Sequence, residues 1–140
     1  MNASRSTARR ATRVALLAAC ALAALQAGTA TASDTCKDVT IKMVNRTDNE
    51  IKLTKLEYYD YDTGKWHREE VFGLDGEQKI EPDFAFSPTR NLQNIGNDKT
   101  KFRLSWKRHA GGVQWNSAPA VVTADFTCTN NSTRTIEVTG

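Results

Sequence analysis

Residues Lys101 to Lys107 alternate without a break. Phe102, Leu104 and Trp106 fall on one side, and Lys101, Arg103, Ser105 and Lys107 on the other. A period of two belongs to a β-strand, whose successive side chains point to opposite faces. The same period recurs in Val39, Ile41 and Met43, in Ile51 and Leu53, in the run Val122, Ala124, Phe126 and Cys128, and in Thr135–Thr139. No window after residue 33 carries a sustained helical stripe. Turn signatures separate the runs: Asn45–Asn49, Asp62-Thr63-Gly64-Lys65, Ala110-Gly111-Gly112 and Asn130-Asn131-Ser132. The pattern predicts an all-β chain, a small antiparallel β-sandwich of immunoglobulin-domain size with about seven to nine short strands. The predicted inward set is Val39, Ile41, Met43, Ile51, Leu53, Phe102, Leu104, Trp106, Val122, Phe126, Ile136 and Val138.

Finer features follow from breaks in the pattern. The phase slips near Lys55-Leu56, as it does where a β-bulge inserts a residue. Trp66 to Phe72 reads as the strand returning from Glu57–Tyr61. With a four-residue loop at 62–65, Tyr61 would face Trp66 and Tyr59 would face Arg68. A three-residue loop with a glycine bulge would shift that register by one. Gln78–Glu81 reads as a short strand stopped by Pro82, and residues 89–99 as a loop.

The N-terminal stretch has a different character. Arg5, Arg9, Arg10 and Arg13 precede an apolar run of 12 residues, Val14–Leu25, and Ala30-Thr31-Ala32 closes the segment. This is the three-part layout of a secretory signal with a cleavage site. The run is short of the roughly 20 apolar residues a spanning helix needs. The expected domains are therefore a cleaved signal peptide, residues 1–32, and one β domain, residues 33–140. Leu17-Ala18-Ala19-Cys20 resembles the lipobox of bacterial lipoproteins, which makes lipid anchoring at Cys20 a minor alternative to a periplasmic or secreted protein.

Removal of that segment leaves two of the three cysteines, Cys36 and Cys128. An even pair in an exported domain reads as a disulfide, here tying the first strand to a C-terminal hairpin. It is not the immunoglobulin arrangement, in which the bridge joins two central strands. Charge changes too. Residues 1–32 hold four of the 19 basic residues and none of the 16 acids. Residues 33–140 therefore carry 15 basic and 16 acidic residues, net −1. A nucleic-acid partner, which would be signalled by strong positive charge, is not expected.

Two surfaces stand out. Tyr59, Tyr61, Trp66, His67 and Arg68 form an aromatic hairpin with polar flanks, of the kind that stacks on sugars or anchors protein partners. Lys101, Arg103 and Lys107 project from one face of one strand, with Lys99 leading into it, a basic face fit for lipid headgroups or an acidic protein. Asp60, Asp62, Glu69 and Glu70 offer oxygens for calcium, but Asp60-x-Asp62-x-Gly64 starts the calcium-loop spacing and then stops, with Lys65 where glycine belongs. His67 and His109 are the two histidines, and no serine sits in a G-x-S-x-G elbow. No catalytic residue, metal or cofactor is expected. Asn45-Arg46-Thr47 and Asn131-Ser132-Thr133 match the N-glycosylation acceptor pattern. The functional expectation is an exported, non-enzymatic binding domain for a protein or carbohydrate. The alternatives are an inhibitor or immunity-type protein of an extracytoplasmic enzyme, and an envelope- or membrane-binding β protein.

Overall fold

Two sheets share one core, the first built around one long strand and the second around a pair of them. The structure, a computed structural model, describes residues 35–73, 75–96 and 98–140. The predicted signal segment, its cleavage site and Cys20 lie outside the described residues. Twelve strands run through the described residues, and four of them are two-residue ladders. These short ladders account for the excess over the expected strand number.

The first sheet centres on β1 (Thr35–Arg46). On one side β12 (Thr133–Thr139) runs parallel to it, from Thr40 opposite Thr133 to Arg46 opposite Thr139. On the other side two antiparallel strands share its length. β6 (Thr89–Gln93) covers the first half and β5 (Ala85–Phe86) meets Met43 and Val44. The expectation of purely antiparallel pairing therefore meets one parallel pair, which makes this sheet mixed. The expected loop at residues 89–99 contains β6, and it buries Leu92 and Ile95. Asn91 bridges the irregularity in that pairing between Cys36 and Val39, where its side-chain oxygen accepts the Asp38 N–H at 2.8 Å.

The second sheet has the order β10 (Val121–Val122), β8 (Phe102–Gly111), β2 (Ile51–Asp60), β3 (Lys65–Glu69). β2 and β8 are its central pair. β3 and β4 (Gln78–Ile80) lie along the far side of β2. β9 (Gln114–Ser117) and β10 lie along the far side of β8. A small ladder joins β7 (Lys99–Thr100) to β11 (Phe126–Thr127). The register of β2 on β8 shifts between Leu53 and Lys55, so the predicted bulge lies one residue before the predicted place.

The sheets meet through Val39, Ile41, Met43, Ile136 and Val138 from the first, and Ile51, Leu53, Leu56, Phe102, Leu104 and Trp106 from the second. Close packing of two inner faces is what defines a β-sandwich. Ten of the twelve residues predicted to point inward are buried. Phe126 is half-buried against the core, and Val122 is 51% exposed. The correction at Val122 follows from register. Val121 pairs with inward Leu104 and Val122 with outward Arg103. Alternation then breaks at Thr123, whose hydroxyl accepts the Phe102 N–H at 2.9 Å.

Cys36 and Cys128 form the expected disulfide, with both residues buried. Such a bond belongs to an oxidising, extracytoplasmic environment. It does not tie β1 to a hairpin. Asn130–Ser132 carries the chain from β11, which pairs with β7, across to β12 beside β1. Two backbone bonds hold that crossing, from Thr40 N to Ser132 O and from Asn131 N to Lys37 O.

Candidate functional site on the outer face of the second sheet

The hairpin of β2 and β3 sets the geometry. Tyr59 pairs with Trp66, Tyr58 with His67, and Asp60 with Lys65. Both registers considered from sequence are therefore replaced, and the loop is Tyr61–Gly64. Asp60 explains the difference. Its buried carboxylate accepts the backbone N–H groups of Asp62 (2.9 Å) and Thr63 (3.2 Å) and the Thr63 hydroxyl (2.7 Å). A short Asp side chain that bonds its own backbone two residues on is a turn-forming device. It ends the ladder at Asp60 and pushes Tyr61 into the loop. Gly64, at φ +67, supplies the left-handed residue that closes the turn. These bonds, led by the Thr63 hydroxyl, keep the Asp60 carboxyl below its ordinary pKa.

Alternation then sorts the candidate residues. Tyr59 and Trp66 lie on the outer face with ring centroids 5.1 Å apart, and Tyr61 packs edge-on against Tyr59 at 4.8 Å. Arg68 lies on the same face by register, opposite Glu57, and bonds Glu70 at 3.0 Å. His67 points the other way. It stacks on buried Tyr58 at 5.3 Å, and its Nε2 lies 3.4 Å from Asp60 Oδ2. It is separated from the aromatic face by the sheet itself.

The basic strand lies against this aromatic face rather than forming a surface of its own. Lys101 Nζ sits 5.0 Å from the Tyr59 ring and 5.4 Å from the Tyr61 ring. The Arg103 guanidinium lies 4.3 Å from the Trp66 ring. Both are cation–π distances. Acids also claim these cations. Arg103 bonds Glu57 at 2.7 Å, Lys107 bonds Glu77 at 2.9 Å, and Lys101 lies 3.9 Å from Asp125. Lys99 lies in β7 and is exposed. Burial works to raise the Glu57 carboxyl, but hydrogen bonds from Arg103 and Lys55 outweigh it, and the net shift is downward. Bonds from Lys107 and Lys52 lower Glu77. Tyr61 donates to Asp125 at 2.6 Å, and that bond raises its phenol.

Sequence reasoning missed Glu57, Asp125 and a second aromatic group further along the face. Trp115 lies opposite His109 across the β8–β9 hairpin, with rings 5.0 Å apart. Lys52 and Lys79 sit 4.4 Å and 5.3 Å from its centroid. The Gly111-Gly112 turn was a usable signal for the His109–Trp115 pair. Nothing local signals Asp125, which arrives from a distant segment. Among the described residues, no three of His, Cys, Asp and Glu come together to hold a metal ion.

Tyr58 marks the inner side of the same hairpin. Burial, then the nearby Glu69 carboxylate, pushes its phenol up to about 12 from an ordinary 10. Its folded-state pKa exceeds its unfolded one, so its contribution to stability is complete below pH 10 and lost as pH rises towards 12. An absorbance titration should show a tyrosine ionising at about 12, in step with unfolding. Tyr58→Phe should abolish that step, and a step that survives Tyr58→Phe would contradict this account.

Comparisons with protein-family models, with curated proteins and with solved structures give no match to this chain.

Proposed function

We propose that the chain is an exported, non-enzymatic binding domain that recognises a carbohydrate or a protein through the outer face of its second sheet. One observation carries the reading. Tyr59, Tyr61 and Trp66 gather around Lys101 and Arg103 on a single face, with Tyr61 41% exposed. Tyr, Trp and Arg supply most of the energy at recognition surfaces. Here neighbouring side chains already hold their rotamers, so little ordering is left to oppose binding. Export rests on the signal-like layout of residues 1–32 together with the disulfide. The non-enzymatic reading rests on the lack of a nucleophile motif and on the disulfide taking both Cys36 and Cys128.

The test is a variant, Tyr61→Ala with Trp66→Ala, screened in parallel with the native protein on glycan arrays and in affinity capture. Loss of two aromatic anchors should weaken any genuine ligand roughly thirtyfold or more, about 2 kcal/mol. A ligand bound equally well by both proteins would place recognition elsewhere.

A second reading, an inhibitor of an extracytoplasmic enzyme, is favoured by a different feature. Phe84 is 68% exposed at the end of a rigid turn. The Phe84 N–H closes that turn on Glu81 O, with Pro82 second and Asp83 third at φ +63, the pattern of a type II turn. Asn45 accepts from Asp83 N at 2.9 Å and donates its own N–H to Phe84 O at 3.0 Å. A large apolar side chain on so fixed a backbone suits insertion into an enzyme cleft. The reading expects inhibition within a panel of secreted glycosidases and proteases that Phe84→Ala removes without lowering thermal stability. Inhibition that survives Phe84→Ala ends it. The basic face finds no comparable support, because three of its four cations have acid neighbours.

A further inference from the structure

We infer that the outer face of the second sheet takes one linear, uncharged polysaccharide laid along β8 and gripped at both ends by an indole. This rests on the binding-domain reading and assigns its ligand class and its length. The first indole is Trp66, against Arg103. The second is Trp115, opposite His109. Arg103 and His109 are six residues apart on one strand, so the platforms stand about 20 Å apart. A compact ligand reaches one of them. A linear oligomer reaches both.

The strip between the platforms selects the chemistry. Arg103 and Lys55 both bond Glu57, at 2.7 Å and 3.3 Å. Lys52 and Lys107 both bond Glu77, each at 2.9 Å. Each cation has an acid and each acid has two cations, so the strip is rich in hydrogen-bonding groups at modest net charge. A polyanion must compete with the resident carboxylates for every cation. A hydroxyl-bearing ligand uses the lone pairs and N–H groups left over. Its C–H faces suit aromatic rings, whose faces carry partial negative charge. An extended peptide, by contrast, is recognised by pairing with an unpaired strand edge. This strip lies on the face of β2 and β8, which are paired within the sheet on both sides.

Calorimetry on the intact oxidised protein tests the inference, using linear gluco-, xylo-, manno- and chito-oligosaccharides as disaccharides and as hexasaccharides. At least one hexasaccharide should bind, and its disaccharide should bind at least roughly tenfold more weakly, the size of losing one aromatic anchor. Trp66→Ala and Trp115→Ala should each cost the hexasaccharide about tenfold. Trp115→Phe, which keeps a ring and guards against a folding defect, should retain most of the affinity. High salt should leave the affinity unchanged, since no net charge is being neutralised. No binding by any hexasaccharide, equal binding of the two lengths, or binding indifferent to Trp115 would overturn the inference. A captured protein partner that needs Tyr61 and Trp66 but not Trp115 would also overturn it, while leaving the broader binding-domain reading intact.

Discussion

Replacing Cys36 and Cys128 together by alanine should lower the unfolding free energy by about 4–5 kcal/mol, read as a fall in melting temperature of roughly 20 °C. The magnitude comes from the 92-residue separation of the two cysteines. A cross-link closing so long a loop removes much of the freedom of the unfolded chain, and a domain of this size has only about 5–15 kcal/mol in total. Both side chains sit in the shared core, so loss of the two sulfurs adds a packing cost to that figure. Differential scanning calorimetry of the alanine pair against the oxidised protein is the measurement. A fall of only a few degrees would mean that the sheets hold the chain ends together without the bond.

Asn45→Ala should cost about 3–4 kcal/mol, large for a polar residue near a turn. Asn45 is fully buried at the end of β1 and uses its whole amide. Its Nδ2 donates to Asn49 O (2.8 Å) and Ile80 O (3.0 Å). Its Oδ1 accepts the Thr47 N–H (2.9 Å) and the Thr47 hydroxyl (2.8 Å). One side chain thus holds the β1–β2 turn closed and pins it to β4 in the opposite sheet. Alanine leaves the Ile80 carbonyl buried without that donor, which is the costly case. Asn45→Asp keeps the acceptor but sets a second, buried carboxylate oxygen against the Asn49 and Ile80 carbonyls, and should cost at least as much as alanine. Urea unfolding of all three proteins reads the series. The acceptor motif Asn45-Arg46-Thr47 is met here by an amide nitrogen already committed to two carbonyls.

Local pattern carried the fold far. The alternation at Lys101–Lys107 is borne out residue by residue, since Phe102, Leu104 and Trp106 are buried. The bulge near Lys55 and the Cys36–Cys128 bond were equally legible. The misses share a cause. Val122 faces outward because β8 dictates its phase, and β12 runs parallel to β1 because the chain crosses between sheets at Asn130–Ser132. Both depend on a partner distant in sequence, and an alternating run does not name its partner. The site shows the same divide. Tyr59, Trp66, Lys101 and Arg103 were visible as two separate surfaces. Only the pairing of β2 with both β3 and β8 makes them one, and the Asp60 turn decides which ring meets which.

The position of β1 has a kinetic consequence. The first strand of the described chain finds every one of its partners late: β5 and β6 more than forty residues on, and β12 at the far end. Sheets closed by such remote pairings form slowly, because the loop entropy is lost before any pairing energy is gained. A ribosome releasing this chain would present β1 with no partner until β5 and β6 had emerged, and with its other edge open until β12 followed. The first sheet is completed only when β12 arrives, and until then that edge of β1 remains open to any other chain that offers it a strand.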